Sequence, residues 1–182
     1  ATRLGGMVAG PWLNMRVCQL LRRGLCTAPE SFIARAARSG DPANLLGPFR
    51  SAGRFDACLE ETMVCTSIDG GSVQCVLEVT PSLANNYGTL HGGAISTIVD
   101  VVGTMALLSV DPSKAGVSVE MNQTFCTAAA IGEQLTLSGT VLRYGRSLGF
   151  TAVEVRKAPT NQGAEGALVA VGRHTKMFPP SR

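Results

Sequence analysis

From residue 62 onward, apolar and polar positions fall into two alternating periods. Thr62 to Ile68 leads into Asp69-Gly70-Gly71, after which Val73, Cys75, Leu77 and Val79 alternate with Ser72, Gln74 and Glu78. Period-two alternation around Asp-Gly predicts a β-hairpin. Pro81 to Tyr87 is polar, contains Asn85-Asn86, and reads as a loop. His91 to about Ser109 then carries Ala94, Ile95, Ile98, Val99, Val102, Met105 and Ala106 at spacings of three and four. That pattern predicts a helix apolar on most faces and buried nearly all round, with Thr89 as the expected cap.

Period two returns after the helix. Val117, Val119, Met121 and Phe125 are expected on one face of a strand, with Ser118, Glu120, Asn122 and Thr124 on the other. Further strands are predicted at Gln134–Tyr144, Ser147–Lys157 and Ala167–Met177. The turn Tyr144-Gly145-Arg146 and the longer Pro159 to Gly166 segment connect them. Two strands, one buried helix and four more strands imply an α+β fold, an antiparallel sheet wrapped around one long central helix. No internal repeat or low-complexity tract interrupts this order.

Composition locates a second region. At 182 residues, 45% hydrophobic and 16% charged, the chain suits one packed domain with roughly fifty residues to spare. The net charge of +3 is unevenly spread. Residues 1–50 hold seven arginines against Glu30 and Asp41, whereas residues 51–182 hold nine basic and eleven acidic side chains. The domain therefore has no basic stripe of its own, and aromatics make up only 5% of the chain. Both facts argue against a nucleic-acid partner. From Met15 the chain reads MRVCQLLRRGLCTAPESFIARAARSG, Arg-rich and acid-poor in the manner of an organelle transit peptide. Residues 1–46 are expected to be a targeting segment, mitochondrial before plastid, or an assembly arm. Residues 47–182 are expected to form the domain, with a cytosolic location as the alternative. The six cysteines lack CxxC spacing and there are two histidines, so no zinc site is expected. Cys65, Cys75 and Cys126 lie in apolar runs and are expected as buried free thiols. No uninterrupted apolar run reaches the roughly 18 residues of a membrane span, since Asp100 breaks the longest.

Asp100 is also the candidate for chemistry. A carboxylate in so apolar a helix is costly unless it is paired, shifted in its titration or facing a cavity. At the helix start, Gly92 and Gly93 leave free N–H groups suited to a developing oxyanion. Asp100 lies eight residues after Gly92, roughly 12 Å along the axis at about 1.5 Å per residue. One carbonyl cannot meet both groups of one helix, which points to a site shared between two chains. Asn85, His91 and Ser118 each have ordinary readings as turn former, near-core histidine and solvent-facing strand residue.

The stretches NNYGTLHGGAISTIVD and GVSVEMN, with GTMALL and the terminal GRHTK, resemble the hotdog-fold acyl-coenzyme A thioesterases over about Phe55 to Lys176. The resemblance implies a hotdog fold that hydrolyses fatty acyl-CoA to free fatty acid and coenzyme A, as a dimer or dimer of dimers, without metal or cofactor. It implies that Asn85 and the Gly92 N–H polarise the thioester carbonyl, and that Asp100 of the other chain acts as general base. Ser118 would help hold the water and His91 would buttress the helix start. Arg143, Tyr144, Gly145, Arg146, Ser147 and Leu148 match the family's coenzyme A contact turn. Phe125 stands where the family has a hydroxyl-bearing aromatic near the nucleotide, and Met177 where a polar ring is found. Two alternatives stay open: a hydratase or dehydratase using His91, and a structural subunit docked in a mitochondrial complex through its Arg-rich arm.

Overall fold

The computed structural model describes residues 55–59, 62–159 and 165–179. The extension expected over 1–46, the expected domain boundary at 47, and Cys18 and Cys26 lie outside the described residues. A 3-10 turn, Phe55–Leu59, precedes strands β1, Met63–Asp69, and β2, Ser72–Glu78. Helix α1, Gly92–Val110, follows, then β3, Val117–Phe125, β4, Gln134–Tyr144, β5, Leu148–Lys157, and β6, Leu168–Met177. The expected hairpin, the helix and the four later strands are all present within about a residue. The 3-10 turn at Phe55–Leu59 had no periodic signal.

All six strands form one antiparallel sheet in the order β1-β2-β4-β5-β6-β3. Gly71, at φ 103°, supplies the left-handed residue of the β1–β2 turn. Helix α1 lies against the sheet, and every residue from Val101 to Leu108 is buried. Its closest approaches fall where the sheet has no side chain. A Cβ at Gly139 of β4 would sit 2.9 Å from the Val102 carbonyl, and one at Gly172 of β6 would sit 2.6 Å from Val99 Cγ2. At 19 residues and a mean hydropathy of 1.8, this helix is long and apolar enough to cross a membrane. Its apolar surface is instead taken up by the sheet.

Three expectations are corrected. His91, and not Thr89, caps α1: its Nδ1 accepts the Gly93 N–H at 2.8 Å. The alternation in β3 is broken by a bulge between Ser118 and Glu120. Ser118 reaches His174 and Gln123 reaches Ser96 of α1, so both lie on the helix side although they stand five positions apart, an odd offset that regular alternation would put on opposite faces. Cys126, just past the end of β3, is exposed; Cys65 and Cys75 are buried free thiols as expected.

Candidate active site

The first group of residues sits at the start of α1 and is assembled by local turns. The Asn85 side chain holds its own loop: Oδ1 accepts the N–H of Tyr87 at 2.9 Å and of Thr89 at 3.3 Å, while Nδ2 donates to Thr89 Oγ1 at 2.9 Å. One N–H of Nδ2 remains for another acceptor. The Gly92 N–H opens the helix and has no acceptor among the described residues, as the helix geometry dictates for a first-turn donor. Asn85 and Gly92 line one cavity of about 310 Å³, whose other walls include Leu90, Ile95, Phe125 and Val169. Phe125 is half exposed, and its ring lies 3.5 Å from where a Gly92 side chain would begin. His91 is exposed at the mouth of the helix. Its Nδ1 lone pair is occupied by Gly93, which leaves the proton on Nε2 and no free lone pair for a base. That disfavours the hydratase reading.

The second group gathers round Asp100, two turns further along α1. Its side chain is 43% exposed, less enclosed than the apolar run around it suggests. Thr104 Oγ1 donates to Asp100 Oδ1 at 3.3 Å. His174 Nδ1 and Lys176 Nζ, both from β6, stand 3.6 and 3.7 Å from the same oxygen. Ser118 of β3 is 2.8 Å from His174 Nε2. His174 is fully buried, and burial pushes its pKa down while the Asp100 charge opposes. His174 Nδ1 is buried without a hydrogen-bond partner among the described residues, 3.6 Å from the carboxylate. With the proton on Nδ1, facing that charge, Nε2 accepts the Ser118 hydroxyl proton and leaves that oxygen's lone pairs open. Asp100 and Ser118 are thus brought together, through His174. His174 and Lys176 lie in the GRHTK stretch and Thr104 in GTMALL, but sequence reasoning assigned none of them a role at the site. Their signal was parity: His174 and Lys176 share the inward-facing positions of Ala170 and Gly172 along β6.

The two groups do not meet within one chain, and Asp100 does not line the cavity that holds Asn85 and Gly92. A third cluster lies at the β4–β5 turn. Arg143, Gly145, Arg146, Ser147 and Leu148 line a cavity of about 340 Å³ with Phe150. Both arginines are exposed and neither has an acidic partner among the described residues. A bulge between Val141 and Arg143 re-aims the strand just before this turn. Tyr144 is not part of that lining. Its ring stacks on Phe178 at 5.0 Å with Lys114 Nζ 5.7 Å from its centroid. Burial, and then the Asp111 charge, push its hydroxyl pKa up to about 12. No cluster of His, Cys, Asp and Glu among the described residues has the makings of a metal site.

Comparison with known proteins supplies the frame for these groups. The thioesterase superfamily model matches residues 87–164. Human acyl-coenzyme A thioesterase 13 is 44% identical over 106 residues, covering 58% of this chain and 72% of the human protein. The mouse protein of the same name is 37% identical over 122 residues, covering 67% and 83%. The crystal structure of zebrafish thioesterase superfamily member 2 superposes with a TM-score of 0.68 at 36% identity, covering 76% of this chain and 95% of that one.

Proposed function

The chain belongs to the thioesterase superfamily, and from that premise we propose that it hydrolyses fatty acyl-coenzyme A thioesters to free fatty acid and coenzyme A. The observation that carries the reading is the split between two groups, hydrogen-bond donors at the start of α1 and a carboxylate with a hydroxyl beside it further along. The substrate carbonyl oxygen accepts from the Gly92 N–H and the free N–H of Asn85 Nδ2. Asp100 removes a proton from water as the water oxygen bonds to the carbonyl carbon, and Ser118 orients that water. The tetrahedral adduct then collapses, the C–S bond breaks, and the sulfur leaves with the proton held by Asp100. The apolar walls Leu90, Ile95 and Val169 suit an acyl chain, and the Arg143–Arg146 turn suits the phosphates of the nucleotide. Free-thiol release from acyl-CoAs of graded chain length tests this on the full chain. Absence of release at every length would overturn it.

The site is composite in this proposal, with Asn85 and Gly92 from one chain and Asp100 from another. The support is the separation of roughly 12 Å along α1 and the character of β3. That strand lies at the sheet edge and exposes Val117, Val119, Met121 and Phe125. An apolar edge strand invites pairing unless it is covered, and a second copy across a two-fold axis would cover it and create two equivalent sites. Sedimentation of the purified chain tests for the dimer or dimer of dimers; a monomer at assay concentration would end the shared-site reading. The seven arginines before residue 51 support delivery to the mitochondrion, or docking in an organellar assembly. Fusion of residues 1–46 to a fluorescent protein tests delivery, and a purely cytosolic signal would count against it.

One observation favours a second reading. Ser118, His174 and Asp100 stand in the contact order of a serine nucleophile, base and orienting acid. An acyl group trapped on Ser118 under single-turnover conditions would establish it. Ser118→Ala with a loss of only about tenfold, typical of a lost water contact and well below loss of a nucleophile, would exclude it.

A further inference from the structure

We propose that Lys176, acting through Thr104, is a positioning residue that holds one oxygen of the Asp100 carboxylate so that the other faces the reacting water. The proposal rests on the reading of Asp100 as general base and deepens it. Along β6 the buried positions of one parity run from Ala170 and Gly172 to His174 and Lys176. Apolar residues would serve packing at the last two positions. Lys176 is instead only 7% exposed, and an ammonium is costly to bury without compensation. Burial pushes its pKa down, and the Asp100 carboxylate opposes that.

The hydrogen-bond logic gives the ammonium a direction. Lys176 Nζ donates to Thr104 Oγ1 at 2.8 Å. A lysine ammonium has three donors and no acceptor, so the Thr104 hydroxyl must accept there and aim its single proton elsewhere. That proton goes to Asp100 Oδ1 at 3.3 Å. His174 Nδ1 at 3.6 Å and Lys176 Nζ at 3.7 Å stand on the same oxygen. Among the described residues the Asp100 carboxylate takes its hydrogen bond on Oδ1, and none reaches Oδ2. Three groups thus share one oxygen, and the working lone pair belongs to the other. A further carboxylate bears on the arrangement: Asp56 of the 3-10 turn has its pKa raised, chiefly by burial and next by the Asp100 charge, while Lys176 lowers it. With Lys176 gone, no ammonium offsets the repulsion between Asp56 and Asp100, and Thr104 loses the donor that aims its proton at Oδ1.

The test is a double-mutant cycle on the full chain. Lys176→Met keeps the length of the side chain and removes its charge and donors. Misplacement of a reacting group by an ångström costs on the order of a hundredfold, so kcat should fall between about tenfold and a hundredfold with KM changed by less than about twofold. In an Asp100→Asn background the same substitution should cause no further loss, because the group it positions no longer acts. Thr104→Val, of matching volume, should give the same pattern with a smaller loss, and it carries the test if Lys176→Met fails to fold. An unchanged kcat in the single variants, or equal losses in both backgrounds, would overturn the proposal. The general-base reading fails by a separate sign, namely full activity in Asp100→Asn itself.

Discussion

The two ends of the proposed chemistry are built in opposite ways. The start of α1 is assembled from backbone and short polar side chains within nine residues of sequence, Asn85 to Gly93, and the side-chain hydrogen bonds of Asn85 and His91 span no more than four positions. The backbone of that segment is also tied to a distant one, Leu90 N–H to the Ala129 carbonyl and Ile131 N–H to the Gly88 carbonyl, whereas the Asp100 cluster joins charged and titratable side chains on three separate elements, with partners 56 and 72 residues apart. A donor of fixed direction is best made of peptide N–H groups, which need only a helix start and a capping side chain. A proton acceptor needs its charge, orientation and neighbours controlled, and that takes the tertiary fold. Apart from Asn85, whose amide is itself a proposed donor, the first region should therefore tolerate side-chain change, while the second should be sensitive to single atoms.

The sharpest way to break this contrast is Asp100→Asn. It removes one proton-accepting oxygen, conserves volume and keeps the helix apolar. Loss of a general base costs on the order of 10²–10⁴ in rate, so kcat should fall by that much with the circular dichroism spectrum and Tm nearly unchanged. Wild-type kcat in a folded Asp100→Asn protein would remove the asymmetry between the two regions and the mechanism with it.

Asn85→Ala comes next, since a lost donor at a developing oxyanion costs roughly 10²–10³. Its value lies in combination. If the two regions come from different chains, a mixed dimer of Asn85→Ala and Asp100→Ala subunits concentrates both lesions in one site and leaves the other intact. Unfolding, mixing and refolding should make about half the dimers mixed and return roughly a quarter of wild-type activity. No gain over the separately refolded controls, with mixed dimers confirmed by mass spectrometry, would place both regions in one chain.

The same contrast explains what was legible in the sequence. The helix start was readable because His91, Gly92 and the Asn85 turn are neighbours, although the cap fell to His91 and not to Thr89. Asp100 stood out because a carboxylate in an apolar helix is a local anomaly. His174, Lys176 and Thr104 were not readable as a group, since only the β6 register and the crossing of α1 bring them together. The bulge between Ser118 and Glu120 was equally hidden. One extra residue in an edge strand leaves the apolar-polar alternation looking regular, yet it decides that Ser118 turns toward His174. Periodicity reported which elements form; it could not report how they cross.

A smaller effect is expected at the β4–β5 turn, which belongs to neither region. Arg143→Ala with Arg146→Ala should raise KM for acyl-CoA several-fold more than it lowers kcat, because phosphate contacts remote from the scissile bond bind ground and transition states alike. The salt dependence of KM should weaken along with it. An unchanged KM would move the nucleotide away from this turn and leave the exposed arginines without a ligand.

The smallest effect is expected at His91, and it tests whether the helix start is as simple as its construction suggests. The ring is exposed and its Nδ1 accepts one backbone N–H, that of Gly93, at 2.8 Å. Loss of a helix cap costs about 1 kcal/mol, so His91→Ala should lower Tm by roughly 3–5 °C for a domain of this size. The proposed carbonyl donor is the N–H of Gly92, which the substitution leaves in place, so kcat should fall by less than about threefold if capping is all that His91 provides. His91→Asn then separates the two contributions. Asparagine is a strong capping residue whose side-chain oxygen can accept the same N–H, and it should restore Tm and rate together. If Tm returns while kcat stays more than tenfold down, the imidazole itself meets the substrate through Nε2. The helix start would then depend on a second particular side chain beside Asn85.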